Sequence, residues 1–251
     1  MAMRYLFVVC GHNGKKWVTP CLDSIASQRK TNFQVCVVDD ASTEQGQADL
    51  IRSYCDEKGW ISIVNEERKG SMFNQAAAWN AMEPEGEDVI VWVDLDDRLA
   101  HNNVLNILEP HYRHGALVTY GSYTPDPPSA TCPIPRAYPR LVSVQGSHRD
   151  FMRKGGGVLY NHLRTVNWKV LKHLTLEDLQ DDEGNWFMSA PDAAVMLPCL
   201  ELAGLRGRYL SEVLYTYNSE NPQSEWRRWP GKVNTDHQQI IARPCKKPLR
   251  Y

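Results

Sequence analysis

The chain has 251 residues, 42% of them hydrophobic and 23% charged, with a formal net charge of −2. That length and balance support one large domain with a substantial core, and the near-neutral charge gives no global reason to expect nucleic-acid or membrane binding. The seven cysteines are odd in number, widely spaced and never paired as C-x-x-C, which suggests neither a disulfide framework nor a zinc site and fits a reducing compartment. The N-terminal MAMRYLFVVCGHN enters a strand at once, without the apolar length or small-residue cleavage site of a signal peptide, and no run approaches the ~20 apolar residues of a membrane helix. A cytoplasmic protein with no membrane span is expected.

Taken in order, the first half offers four strand-length apolar runs rich in β-branched and aromatic residues: Tyr5–Cys10, Phe33–Val38, Ile61–Val64 and Val89–Val93. Helical segments separate them. In VTPCLDSIASQ, Thr19 is placed to cap and Pro20 to occupy the first helical position; GQADLIRSYCDEKGW and SMFNQAAAWNAM follow. Strands alternating with helices of this length imply right-handed βαβ units and an α/β fold with a mostly parallel sheet flanked by helices. Val118–Tyr123 reads as a fifth strand, and the proline-rich TPDPPSATCPIPRAYPR as an irregular loop or flap. GGGVLYNHLRTVNWKVLKHL reads as a glycine-rich turn entering an amphipathic stretch, and EDLQDDEGNW as an acidic loop. A helix is expected over Ala193–Ala203, kinked or broken early at Pro198 and ended by Gly204; GRYLSEVLYTYN supplies a last strand.

An open parallel sheet binds ligands beyond the carboxyl ends of its strands, where no helix covers the crevice. Polar clusters collect there: GHNG (Gly11–Gly14) after the first strand, DDAST (Asp39–Thr43) after the second and DLDD (Asp94–Asp97) after the fourth. Taken singly, such aspartates often only start loops or cap helices. Closely spaced carboxylates at a strand end are costly unless a cation neutralises them, and oxygen-only ligands suit Mg²⁺ or Mn²⁺, with substrate phosphates and waters completing the shell. Such a site implies a phosphorylated substrate.

The ordered set FVVCGHNGKKWVTPCLDSIASQ, FQVCVVDDAST, VIVWVDLDD, SAPDAAVMLPCLELAG and YLSEVLYTYN resembles the family 2 glycosyltransferases of the GT-A (Rossmann-like, nucleotide-diphospho-sugar transferase) fold, over most of residues 4–220 and most weakly around 123–160. The resemblance implies a metal-dependent enzyme of hexosyltransferase type that moves a sugar from a nucleotide-sugar donor, in the first place a UDP-sugar, to an acceptor hydroxyl with inversion. It places His12 and Asn13 in a turn beside the nucleotide, Asp40 on the base with Asp39 next to it, and Asp94 and Asp96 as the D-x-D acids that face ribose and metal, Mn²⁺ or Mg²⁺; Asp97 orients the loop. Asp192 falls where the family carries its general base, with Asp181, Asp182 and Glu183 as nearby alternatives. Arg164 and His162 are within reach of the diphosphate or acceptor, a structural ion pair and a packed ring being the plainer readings. Where many members have AAARN this chain has AAAWN, with Trp79 in place of arginine, so Arg68 or Lys69 is expected to supply the phosphate or nucleotide contact. The implied organisation is a nucleotide-sugar-binding half over 1–122, an acceptor-binding half over 123–225 and a basic tail over 226–251.

From Trp226 to Tyr251 there are seven Lys/Arg and one acidic residue. A solvated tail is the plain reading. With the tryptophans at 226 and 229 it would also permit a nucleic-acid contact, so the acceptor is left open between a glycan, a protein and a modified DNA base. Two other enzyme classes place aspartates at a strand end. A nucleotidyltransferase of related fold would show a richer glycine and basic loop after the first strand than GHNGKKW. A haloacid-dehalogenase-like phosphatase would carry D-x-D on its first strand.

Overall fold

The computed structural model describes residues 3–129, 132–222, 224–228 and 230–250. The run YLFVVCG forms β1 (Tyr5–Gly11), which lies between β2 (Phe33–Asp39) and β4 (Val89–Asp94), parallel to both, with β3 (Ile61–Val64) parallel beyond β2. These strands read as nearly continuous apolar runs because both faces of a parallel sheet are covered. Side chains alternate between the faces: Tyr5, Phe7 and Val9 enter one core with Val18, Leu22 and Ile25 of α1 (Lys15–Ala26) and Ile51 of α2 (Gln47–Lys58), together with α4 (Val104–Arg113). Leu6 and Val8 enter the other with Met72 and Ala76 of α3 (Ser71–Ala81) and α9 (Pro191–Ala203).

All the expected strands are present. The helix α1 begins earlier than Thr19, at Lys15, which leaves Pro20 inside it. The reason is tertiary: the turn before it is pinned when the Asn13 amide donates to Ser42 Oγ at 2.9 Å and the Gly14 amide to Gln47 Oε1 at 2.9 Å.

The second half departs further from the sequence pattern. The stretch expected to be amphipathic holds β7 (Arg164–Asn167), whose four residues are all buried, followed by the single turn α7 (Trp168–Leu171). β7 runs antiparallel between β4 and β6 (Val118–Asp126), and β6 is parallel to the long β8 (Gly207–Asn218). The short β5 (Arg98–Leu99) closes the edge against β8, giving the order β3-β2-β1-β4-β7-β6-β8-β5. A four-residue strand buried by neighbours on both sides has no periodicity of its own to read. The 122/123 division falls within β6. After the irregular segment come α5 (Arg140–Gln145) and α6 (His148–Arg153), and the acidic segment opens with α8 (Leu176–Leu179), started by a Thr175/Asp178 capping box.

The early break expected at Pro198 does not occur: α9 runs on to Ala203 and ends at Gly204. Every residue from Ala193 to Ala203 is buried, so packing on all sides holds the helix through the proline. The basic tail is not a solvated arm. It forms α10 (Glu225–Arg228) and α11 (Pro230–Ala242), which packs Ile240 and Ile241 into the core, and then a strap across α6 and α9. No helix among the described residues is long and apolar enough to cross a membrane.

Candidate active site

The carboxyl ends of β1, β2 and β4 open into one cleft of about 680 Å³. Its lining includes His12, Asn13, Asp40, Arg68, Asp94, Asp96, Arg164 and Asp192. Residues far apart in sequence thus meet at one sheet edge, as the topology requires.

At the carboxyl ends of β1 and β2, His12 and Asn13 lace two loops together. His12 Nδ1 lies 2.9 Å from the Asp40 carbonyl and Nε2 lies 3.1 Å from Asn13 Nδ2, which assigns the proton to Nδ1. Asn13, at φ 50°, accepts from the Thr43 and Glu44 amides at 2.8 and 3.2 Å. Gly11 is required because a Cβ there would stand 2.5 Å from Leu95 Cβ, in the loop that carries the β4 acids.

Asp39 does not reach the cleft. It is fully buried, and one carboxylate oxygen accepts from Ser42 Oγ and, at 3.0 Å, from Gln47 Nε2, so its work is to hold the β2 loop; this corrects its expected place beside the nucleotide. Asp40 does line the cleft, with both oxygens engaged: Asn65 Nδ2 at 2.9 Å and the Lys69 amide at 2.8 Å on Oδ1, Arg68 Nε at 2.9 Å and the Gly70 amide at 3.1 Å on Oδ2. Burial works to raise its pKa, but hydrogen bonds led by the Lys69 amide prevail and hold it below the usual carboxylate value. Gly70 sits at φ +85°, a backbone conformation that strains any residue with a Cβ. Lys69 turns to Glu67, while Trp79 packs edge-on against Trp92 in the core. Of the two basic residues considered, Arg68 is the one that lines the cleft.

The three acids after β4 take separate tasks. Asp97, only 3% exposed, accepts from Tyr215 Oη at 2.7 Å and from the Asn218 amide at 2.6 Å, tying the loop to β8. Asp96 accepts from Asn221 Nδ2 at 2.6 Å. Asp94 accepts from Arg164 Nη2 at 3.2 Å. Burial, followed by the neighbouring Asp94, pushes Asp96 up to about 6. Burial also raises Asp94 against the pull of Arg164, and raises Asp97 well above the carboxylate range. Crowded acids that resist ionising are what a cation would relieve.

One ring nitrogen of His162 comes within 4.8 Å of carboxylate oxygens of Asp94 and Asp97, a group that could hold a metal ion. The ring stacks on Tyr215 at 4.5 Å, its Nδ1 is buried without a partner, and burial followed by Arg164 drives its pKa well below 6.5, leaving a neutral imidazole with a lone pair. Oxygen donors plus a neutral imidazole suit a divalent first-row cation. The group shares Asp94 with the expected metal pair but brings Asp97 and His162 together with it rather than Asp96.

Asp192 comes from a separate element, at the start of α9, after Ala190 at φ 53°. Ser189 donates through its amide (3.1 Å) and hydroxyl (2.7 Å) to Asp236 of α11, which fixes the turn that delivers Asp192. Arg164 Nη1 lies 3.6 Å from Asp192 Oδ2. Asp181 accepts from the Glu183 and Asn185 amides, and Asp182 pairs with Arg243 at 3.5 Å; with Glu183 they lie outside the cleft lining. Sequence reasoning missed Asn221, Asp236 and the cleft-lining Arg228, Asn234 and His237, none of which belongs to a spaced motif, and also Tyr215, which lies within YLSEVLYTYN but has no role assigned there. Much of the tail's basic charge is spent internally: Arg227 on the Ser219 and Asn221 carbonyls, Arg243 on those of Glu177 and Gln180, and Lys246 on Asp178 at 2.8 Å. Trp229 and the side chain of Trp226 lie outside the described residues.

Residues 6–162 match the family model described as "Glycosyl transferase family 2". No curated protein matches the chain significantly. Among solved structures, S. aureus TarS superimposes with TM-score 0.64 at 19% identity, covering 98% of this chain and 67% of that one; a further TarS structure, in complex with UDP-GlcNAc, gives 0.62 at 19% identity over 87% and 59%. The mannosyltransferase PcManGT from Pyrobaculum calidifontis, in complex with GDP-Man and Mn²⁺, gives 0.63 at 18% identity over 98% and 66%. The chain spans only 37% of a longer TarS structure. These likenesses establish the GT-A fold.

Proposed function

The chain belongs to glycosyl transferase family 2, and on that premise we propose that it moves a hexose from a nucleoside-diphosphate sugar, a UDP-sugar in the first place, to an acceptor hydroxyl with inversion at the anomeric carbon. The observation that carries this reading is the meeting in one cleft of the β4 acids with Asp192 from a separate element. Direct displacement needs a leaving diphosphate held on one side and a base for the incoming hydroxyl on the other. Asp192 is assigned as that base, its side chain 36% exposed to the cleft and so open to an acceptor.

A divalent cation, Mn²⁺ or Mg²⁺, would be held by Asp94 and Asp96, with His162 and Asp97 at hand; when bound it neutralises charge gathering on the leaving diphosphate. His12, Asn13, Asp40 and Arg68 form the nucleotide wall. Since Asp40 already receives four donors, a base that reaches it displaces the Arg68 side chain, which is a third exposed and is the charged group among those donors. The ligands of the TarS and PcManGT structures support a sugar-nucleotide donor and divide between uracil and guanine. Seven free thiols support a reducing, cytoplasmic setting. The acceptor class, glycan, protein or modified DNA base, is a separate question.

The test is release of nucleoside diphosphate from UDP-glucose, UDP-GlcNAc and GDP-mannose, with Mn²⁺ and with EDTA, by the wild type and Asp192→Asn. Metal-dependent release that Asp192→Asn loses while still binding donor supports the assignment. Phosphate release from simple monoesters without turnover of any sugar nucleotide refutes it.

A further inference from the structure

We propose that Arg164 is the built-in counter-ion of the cleft, a positioning residue that ties the base Asp192 to Asp94 rather than a ligand of the sugar nucleotide. The inference rests on the reading of Asp192 as base. Arg164 sits at the start of β7, in register with Trp92 of β4, so the sheet fixes its backbone. Its side chain is 9% exposed, and the two arms of its guanidinium diverge: Nη2 donates to Asp94 Oδ2 at 3.2 Å and Nη1 lies 3.6 Å from Asp192 Oδ2. Nε is buried with no hydrogen-bond partner, a cost the molecule bears with the group held where it is.

Around that cation stand Asp94, Asp192, Tyr160, Tyr215 and the neutral His162. With Arg164 removed, two half-exposed carboxylates would be left close together without a counter-charge, a repulsion that solvent screens only in part. A planar fork with a fixed charge is suited to spanning two acids on different elements, which a point-charge ammonium is not. The geometry has a second consequence. Asp94 is also an acid to which the divalent cation is assigned, so Arg164 and that cation compete for it; a cation on Asp94 leaves the guanidinium to Asp192, which orients the base once the donor side is loaded.

The experiment measures Mn²⁺ binding without nucleotide, Mn²⁺–UDP binding, and UDP release from the best donor of the panel above, for the wild type, Arg164→Met, Arg164→Lys and Asp192→Asn. Removing the like charge that shares Asp94 with the cation should tighten Mn²⁺ binding to Arg164→Met about tenfold or more. Its Mn²⁺–UDP affinity should not fall, while turnover drops about 100-fold and Arg164→Lys recovers part of it. Unchanged Mn²⁺ affinity overturns the counter-ion role. A tenfold weaker Mn²⁺–UDP complex with turnover retained at saturating donor makes Arg164 a diphosphate ligand and equally overturns it. If Arg164→Met does not fold, Arg164→Gln carries the same Mn²⁺ expectation. Near-normal turnover by Asp192→Asn removes the base assignment, and with it the orienting role; the Mn²⁺ arm still decides the Arg164–Asp94 pairing.

Discussion

Replacing Arg149 with methionine tests the clasp that fastens the end of the basic tail to α6 and α9. Arg149 is 2% exposed; it donates through Nη1 to the Pro244 carbonyl at 2.7 Å and stands 3.8 Å from Glu201 and 4.0 Å from Asp178. Glu201 is fully buried and also accepts from the amides of Arg149 (3.0 Å) and Lys246 (2.9 Å). Removing one partner of a buried pair costs roughly 3–5 kcal/mol, and the two retained amide donors argue for the lower end, about 3 kcal/mol. The loss should depend on pH. Burial raises the Glu201 pKa and Arg149 is the main influence holding it down, so the variant raises it further. A carboxyl whose folded pKa lies above its unfolded one destabilises the fold at high pH, and the penalty fades as pH falls toward the unfolded value near ~4.3. Urea unfolding of variant and wild type at pH 8 and pH 5 should therefore show the larger deficit at pH 8. Arg149→Met/Glu201→Gln, lacking the titrating group, should show no such difference. A deficit equal at both pH values, or below about 1 kcal/mol, would refute the reasoning.

Asp96→Ala should abolish metal-dependent release of nucleoside diphosphate, a fall of about 100-fold or more, with the fold intact by circular dichroism. Asn221→Ala removes the 2.6 Å donor that helps hold Asp96 down to about 6. Since protonated Asp96 binds no cation, Mn²⁺ affinity falls as pH drops through that pKa, and the variant should move the fall to higher pH in calorimetric titrations. Asp236→Ala strands the Ser189 amide and hydroxyl and frees the turn before Asp192. Turnover should fall more than donor affinity, with a stability loss of about 1–3 kcal/mol by thermal or chemical denaturation.

The alternation of apolar runs with helical segments determined the parallel half of the sheet, and polar clusters at three strand ends pointed to its ligand edge. Those features are local: a strand buried on both faces has an apolar run, and a site acid after it breaks the run visibly. What the sequence left open depends on partners distant along the chain. Asp39 and Asp40 are adjacent and chemically identical, yet Gln47 and Ser42 turn one inward while the loop at 65–70 holds the other on the cleft. β7 is a strand only because β4 and β6 flank it. The tail's charges read as a solvated segment that would also permit a polyanion, whereas Asp178 pairs with Lys246 and backbone carbonyls accept from Arg227 and Arg243. Sequence records each residue's own chemistry and its near neighbours; which of two like groups faces the cleft, and which charges are already answered, are set by long-range contacts that only the folded chain creates.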